Sequence, residues 1–109
     1  MGDFVIREWH LEPYDGDQAP LHVHHGGEEA FVCIGGDLEV VVGDAREPVP
    51  PGRFVLIPRG IVHTFATRKG AQVVAIMSPE IADLIDGLHA AVSDADRAAA
   101  WEKSHSALA

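Results

Sequence analysis

Short apolar segments separated by glycine and proline make up most of this chain. From Phe4 to about Met77, apolar runs of a few residues alternate with residues that favour turns. The turn signals are Pro13, Gly16, Gly26-Gly27, Gly35-Gly36-Asp37, Gly43-Asp44, Pro50-Pro51-Gly52, Pro58-Arg59-Gly60 and Gly70. Such spacing is typical of an all-β sandwich or barrel. We therefore expect an all-β barrel in this part of the chain.

Two of these segments predict different environments. The residues from Asp37 to Val42 begin with polar/apolar alternation, which is typical of a half-exposed strand. The residues from Gly52 to Ile57 are apolar on both faces after Arg53, which predicts a buried strand. Apolar residues on both faces also suggest contacts beyond the core of a small monomer. We therefore expect a homodimer.

The C-terminal part of the chain carries helix signals. Ser78 and Pro79 are suited to the N-cap and first positions of a helix. Apolar residues then recur at helical spacing, at Ile81, Leu84, Ile85, Leu88 and Val92. A second start at Ser93 to Asp96 resembles a capping box and predicts a helix from Arg97 to Leu108, with Trp101 as its largest apolar residue.

These signals divide the chain into a barrel over residues 1–78 and a helical extension over residues 79–109. We expect the apolar stripe of the first helix to pack on the outside of the barrel or on a dimer partner. The alternative is that it forms a lid over the barrel mouth.

Length, charge and cysteine content limit the function. A chain of 109 residues fits one domain with an ordinary core. Its 8 Lys and Arg against 17 Asp and Glu give a net charge of −9, so we expect neither a nucleic-acid nor a membrane partner. The start lacks a basic and apolar leader, and Cys33 is the only cysteine. We expect a cytoplasmic protein without an intramolecular disulfide.

Histidine and glutamate recur at spacings that suit a metal site. Residues two apart in a strand share a face, so His22 and His24 can present their rings to one ion. Glu29 lies five residues beyond His24, and Gly26-Gly27 permits a tight reversal that brings it in on a neighbouring strand. We expect Phe31 and Cys33 to share the face of Glu29 and to line the cavity.

His63 is the fourth candidate ligand. It follows the turn Pro58-Arg59-Gly60, after which Ile61, His63 and Phe65 are expected to alternate inward. Three neutral imidazoles and one carboxylate favour a divalent transition metal (Fe, Mn, Ni, Co, Cu or Zn) over Ca or Mg. In six-coordinate geometry, four protein ligands leave two positions open. A divalent ion with one carboxylate ligand has a formal net charge of about +1, which attracts an anionic substrate oxygen. A structural zinc cage is disfavoured because cysteine is nearly absent.

In two motifs the chain resembles the cupin superfamily. The first, G-x5-H-x-H-x3-4-E-x6-G, is met by Gly16, His22, His24, Glu29 and Gly36. The second, G-x5-P-x-G-x2-H-x3-N, is met by Gly52, Pro58, Gly60 and His63, with Thr67 in place of the final Asn. The spacing resembles that of small single-domain bacterial cupins. The resemblance implies a double-stranded β-helix, or jelly-roll barrel, of six to eight strands, commonly dimeric, with the metal in its mouth.

Some neighbouring residues compete for roles in this site. Glu28 would replace Glu29 after a register shift of one residue, but the six-residue gap to Gly36 favours Glu29. His25 alternates away from His24 and is expected to face solvent. Cys33 is interpreted as a small buried apolar residue, with a cavity thiol as the alternative.

The leading functional hypothesis is a small metalloenzyme that acts on a small organic substrate. It would be an oxygenase of the quercetinase-like kind, or an isomerase or cyclase, with the ion as Lewis acid or dioxygen activator. Glu29 is also a candidate base after partial release from the metal. The alternative is a non-catalytic cupin module that binds a metal or ligand, because cupins share a fold but not a function.

Overall fold

Two antiparallel sheets and two helices form the fold. The computed structural model describes residues 3–109. Within that range the strands are β1 (Val5–Leu11), β2 (His22–His24), β3 (Glu29–Gly36), β4 (Leu38–Val42), β5 (Ala45–Val49), β6 (Phe54–Ile57), β7 (His63–Ala66), β8 (Ala71–Met77) and β9 (Ser106–Leu108). The helices are α1 (Pro79–Ala90) and α2 (Asp94–Lys103).

The strands are distributed over a four-stranded and a five-stranded sheet. The first has the order β1-β8-β3-β6, and the second has the order β5-β4-β7-β2-β9. All pairings between these strands are antiparallel. The predicted double-sheet jelly roll with two C-terminal helices is thus confirmed.

Alternation along the central strands places the core between the sheets. In β3 and β8 every second residue is buried, which is the period-2 pattern of a sheet with one face on the core. The largest buried side chains from these strands are Phe31 and Met77. Ile81 and Ala82 of α1 join the same cluster, so the first turn of the helix belongs to the core.

The helices begin where the sequence predicts, but they end earlier. Ser78 and Ser93 are the N-cap residues, and the Ser93 hydroxyl accepts a hydrogen bond from the Asp96 amide. Helix α1 ends at Ala90, so Val92 lies beyond it and is 89% exposed. None of the helices within residues 3–109 is both long and apolar enough to cross a bilayer.

The prediction of a helix continuing to Leu108 was wrong. Helix α2 ends at Lys103, and His105 has a positive φ of 55°. A left-handed residue cannot continue a right-handed helix, and here it reverses the chain. The last residues then form β9, which pairs with β2. Pairing with the free edge of β2 therefore outweighs the local helix propensity of this last segment.

The prediction that β6 is buried was also wrong. Phe54 and Leu56 are 72% and 55% exposed, and only Ile57 is fully buried. Strand β6 lies at the edge of the four-stranded sheet, so its outward residues have no layer above them. Strand β4 is more buried than the expected half-exposed strand, because Leu38, Val40 and Val41 are buried and Glu39 and Val42 are partly buried.

Candidate metal centre

Four side chains from the two sheets converge at one end of the barrel. His22 on β2 pairs directly opposite His63 on β7, so their side chains share a face, and His24 follows two residues along β2. Glu29, the first residue of β3, comes from the other sheet. The expectation that Glu29 lies on a strand next to β2 was therefore wrong: the group spans the space between the sheets.

The potential ligand atoms of these four residues lie within 4.8 Å of one another. Glu29 Oε1 is 2.5 Å from His63 Nε2 and 3.2 Å from His24 Nε2. The imidazole centroids are 4.4 Å apart for His22 and His63 and 4.8 Å apart for His22 and His24. All four side chains are buried. A single ion is thus within reach of every one.

Each imidazole is held through its Nδ1 atom. His22 Nδ1 donates to the Pro20 carbonyl at 2.7 Å, and His63 Nδ1 donates to the Ile61 carbonyl at 2.9 Å. Carbonyl oxygens only accept, so both Nδ1 atoms carry the proton and leave Nε2 for a metal ion. His24 Nδ1 lies 2.7 Å from the Ser106 hydroxyl. Such partners fix the orientation of metal-binding histidines.

Burial and mutual contact set the charge states of two members. Burial lowers the pKa of His22 to about 4, and the neighbouring His63 and His24 add to this effect. Burial favours a raised pKa for Glu29, but hydrogen bonds from His24 and His63 outweigh it and lower the pKa to about 2. At neutral pH, His22 is neutral and Glu29 is ionised. These are the forms that bind metals, so the donor set fits a divalent transition metal.

A cavity of about 450 Å³ opens beside the four residues. His22, His24 and Glu29 form part of its wall. The strands add the aromatic residues Trp9, Phe31 and Phe65. Its volume lies in the range of small-molecule sites. A ligand in this cavity would therefore contact the candidate metal centre directly.

The C-terminal helices form the opposite wall of this cavity. Ile81, Leu84, Ile85 and Leu88 of α1 and Trp101 of α2 line it. The apolar stripe, apart from the exposed Val92, thus lines the barrel cavity, as a lid would, which was the less favoured of the expected arrangements. The two helices pack closely on each other, because a Cβ added at Gly87 of α1 would lie 3.1 Å from the Ala100 Cβ of α2.

Two residues of the site, Ser106 and Trp9, were not predicted from the sequence. Ser106 lies opposite His24 in the pairing of β9 with β2, and no local pattern signals that pairing. Trp9 lies on the half-buried face of β1. The alternation of Val5, Arg7, Trp9 and Leu11 was the signal that could have identified it.

The competing residues lie outside the group. Glu28 is exposed and pairs with Arg59 at 3.2 Å, and His25 is also exposed. Cys33 is fully buried in the core and is not among the cavity-lining residues. Phe31 and Phe65 line the cavity, whereas Ile61 is 36% exposed, so its predicted inward position was wrong.

The family assignment follows from a sequence profile and from the fold. The profile of the family described as Cupin domain (Cupin_2) matches residues 8–79. The chain belongs to the cupin domain family. The matched residues include His22, His24, Glu29 and His63, which we call the metal-type cluster of this cupin. No curated protein matches it significantly in sequence.

Solved structures share the cupin fold at low identity. A cupin-2 domain-containing protein from Shewanella frigidimarina has a TM-score of 0.61 and 21% identity, with 70% of this chain and 71% of the other covered. A sugar phosphate isomerase from Silicibacter pomeroyi has a TM-score of 0.62 and 23% identity, with coverage of 72% and 52%. Fe(II)-HppE with the alternative substrate (S)-1-HPP has a TM-score of 0.57 and 20% identity, with coverage of 67% and 41%. The cupin described here matches about half the length of the isomerase structures.

Proposed function

We propose that this cupin is a metal-dependent enzyme for a small organic substrate, with His22, His24, Glu29 and His63 as the ligands of one divalent transition metal. The observation that carries the proposal is the convergence of the four potential ligand atoms within 4.8 Å. With Nδ1 of His63 donating to a carbonyl, its Nε2 faces Glu29 Oε1 at 2.5 Å. A separation this short needs a shared cation: a proton gives the hydrogen bond that lowers the pKa of Glu29, and a metal ion bound by both atoms would take its place.

The protein residues prepare and orient this centre. The Pro20 and Ile61 carbonyls hold two of the rings, and Ser106 holds the third. When bound, a divalent ion there supplies Lewis-acid activation of a substrate oxygen or activation of dioxygen. The aromatic and aliphatic walls exclude water and position the substrate. Glu29 is better suited to be a ligand than a base, since its Oε1 is held by two imidazoles and its pKa lies far below neutral pH.

Two reaction classes fit this arrangement. One is oxygenation of the quercetinase-like kind, and the presence of an Fe(II) protein among the structural neighbours is consistent with it. The other is isomerisation or cyclisation, and sugar phosphate isomerases occur among the same neighbours. A non-catalytic role in binding a metal or ligand is the alternative. We also propose that the protein acts in the cytoplasm as a homodimer.

Metal content and oxygen uptake distinguish these functions. Protein purified without added metal would be analysed by elemental mass spectrometry, and oxygen consumption would then be followed with catechols, flavonols and 1,3-diketones. Iron, manganese, nickel or copper with substrate-dependent oxygen uptake supports the oxygenase. Zinc without oxygen uptake would eliminate that branch. Protein that binds these compounds but turns over none would be a binding module.

Substitution of single residues tests the ligand assignment. His22→Ala and His63→Ala should each lose most bound metal, whereas His25→Ala should keep it because His25 is exposed. Metal stoichiometry is measured after identical purification, with circular dichroism as a check on folding. Full stoichiometry in His22→Ala or His63→Ala would refute the assignment.

A further inference from the structure

Both walls of the cavity are apolar. On the strand side, the rings of Trp9, Phe31 and Phe65 pack together with centroids 5.4–6.2 Å apart. On the helix side, Leu84, Ile85 and Leu88 face the same space. The chain thus presents aromatic and aliphatic side chains to the cavity, together with the polar side chains of the metal-type cluster and of Glu8, His10, Gln18 and His89.

Much of this apolar lining lies outside the part of the chain that the cupin profile matches. The profile ends at residue 79, whereas the lining residues of α1 and α2 begin at Ile81. The cluster and the fold belong to the matched part. The helical part of the cavity lining therefore belongs to the part of the chain that the family profile does not match.

Within residues 3–109, the lining of this cavity includes neither lysine nor arginine. Arg7, on the cavity-lining strand β1, forms two hydrogen bonds to Asp86, at 2.6 and 2.9 Å. Glu8, His10 and His89 also line the cavity, and Glu8 adds negative charge. Phosphate groups are bound by arginine, lysine or free backbone amides. At the start of α1, the Ile81 and Ala82 amides already donate to the Ser78 carbonyl.

We propose that the cavity binds an uncharged, mainly apolar ring compound whose one or two oxygen atoms face the four-residue cluster, and that it rejects phosphorylated substrates. The inference that the ligand's oxygen atoms face the cluster depends on the proposed metal function. The inference that the rest of the ligand is apolar depends only on the residues of the cavity walls. A volume of about 450 Å³ suits a molecule of one or two rings. This substrate class differs from the one named for the isomerase structures.

Tryptophan fluorescence can report binding at this position, because the two tryptophans of the chain, Trp9 and Trp101, both line the cavity. The probes are 4-tert-butylcatechol, catechol and glucose 6-phosphate, titrated into zinc-loaded and metal-free protein. Zinc is used because it has no redox chemistry of its own. Calorimetry gives the affinities, and fluorescence shows whether binding occurs in the cavity.

The tert-butyl group should strengthen catechol binding by about tenfold or more, since apolar burial contributes roughly a factor of four per methylene. Glucose 6-phosphate should not bind at concentrations at which 4-tert-butylcatechol saturates the protein. Equal affinity for glucose 6-phosphate, or no gain from the tert-butyl group, would overturn the proposal. Failure of zinc to bind would instead refute the metal function, while the metal-free titration would still test the apolar cavity.

Two matched serine substitutions test the helical wall. Leu88→Ser removes a half-buried cavity side chain, and Ala90→Ser places the same group on an exposed position of α1. Leu88→Ser should weaken 4-tert-butylcatechol binding by about tenfold and leave zinc affinity unchanged, and Ala90→Ser should change neither. Wild-type affinity for 4-tert-butylcatechol in folded Leu88→Ser would show that α1 does not form the binding wall.

Discussion

Ser106 connects the C-terminus of the chain to a candidate metal ligand. Its hydroxyl lies 2.7 Å from His24 Nδ1 and can itself donate to the Ser104 carbonyl. The His24 ring is thus held by a side chain, whereas the rings of His22 and His63 are held by backbone carbonyls. Of these three supports, only the Ser106 hydroxyl can be removed by substitution. Ser106 is therefore the most direct test of ligand orientation.

Ser106→Ala should weaken metal affinity by about 10- to 100-fold, because loss of such a partner lets the ring turn and changes its basicity. Ser106→Thr keeps the hydroxyl and should restore most of the affinity. Ala107→Ser, on the exposed neighbouring position, is the control. Affinity is measured by competition with a chelator. Unchanged affinity in Ser106→Ala would mean that the hydroxyl does not position His24.

Thr67 shows that a departure from a family motif can serve the fold. Its buried hydroxyl donates to Asp37 Oδ1 at 2.6 Å and accepts from the Gly70 amide at 3.0 Å. The same Asp37 oxygen accepts from the Lys69 amide. These bonds close the turn before β8, shortly after the candidate ligand His63 in the second motif. The residue that replaces asparagine thus has a structural role here.

Thr67→Val should lower the free energy of unfolding by about 1–3 kcal/mol, because it leaves the Gly70 amide without its partner at a buried position. Thr67→Ser keeps the hydroxyl and should cost less. Chemical denaturation measures both. A denaturation midpoint equal to that of wild type in Thr67→Val would contradict this prediction and would show that water replaces the hydroxyl without loss of stability. Metal affinity should be the same in both variants.

At the scale of elements, the chain positions its site by connecting strands of different sheets. The segment between β2 and β3 carries the chain from one sheet to the other, so that His24 and Glu29 face each other across the barrel. The glycines of this segment lie under α1: a Cβ at Gly26 would lie 2.2 Å from Glu80 Oε2, and one at Gly27 would lie 3.0 Å from Ser78 Cβ. The turn therefore positions both the cluster and the helix above it.

The end of β3 offers a sharp test of the motif glycines. Gly36 has a φ of +83°, and a Cβ there would lie 2.1 Å from the Gly70 carbonyl oxygen, whereas Gly35 has open space. Gly36→Ala should destabilise the protein by at least about 2 kcal/mol, from the left-handed backbone and the collision with backbone atoms. Gly35→Ala should stay within about 0.5 kcal/mol of wild type. Thermal unfolding measures both, and equal values would refute this explanation of Gly36.

At the scale of the whole molecule, one face of the four-stranded sheet carries apolar residues without a covering layer. Register places Ile6, Ile76, Ala30 and Leu56 in one row across the sheet, and Glu8, Val74, Val32 and Phe54 in the next. Ile6, Phe54 and Leu56 are exposed. A two-fold dimer would bury this face against its own copy, since isologous contacts pair identical patches. This face is the surface that we propose for the homodimer.

Phe54→Glu combined with Leu56→Glu should convert the dimer to a monomer of 11.7 kDa, because the charges would be buried in the interface. Light scattering after size exclusion measures the mass. Val92→Glu, at an exposed position outside the sheet, should leave the dimer intact. A monomeric wild-type protein, or a double variant that stays dimeric, would refute this interface.

The predictable part of this protein is the part encoded in short-range patterns. Turn residues and period-2 alternation predicted an all-β sandwich or barrel, and the resemblance to cupins implied the double-sheet jelly roll. Strand parity predicted that His22 and His24 share a face. The helix starts were also predictable, because capping involves residues a few positions apart. The metal ligation itself stays a prediction, although the four residues do converge.

What the sequence by itself determined is thus the fold class and the identity of the converging side chains, because both depend on local spacing. Only the tertiary structure decided that Glu29 faces the histidines from the opposite sheet, that α1 covers the cavity, and that the C-terminus forms β9 beside β2. These outcomes depend on which open sheet edge or apolar surface is available to a distant segment. That competition is settled by packing between residues far apart in the chain, such as Ser106 and His24.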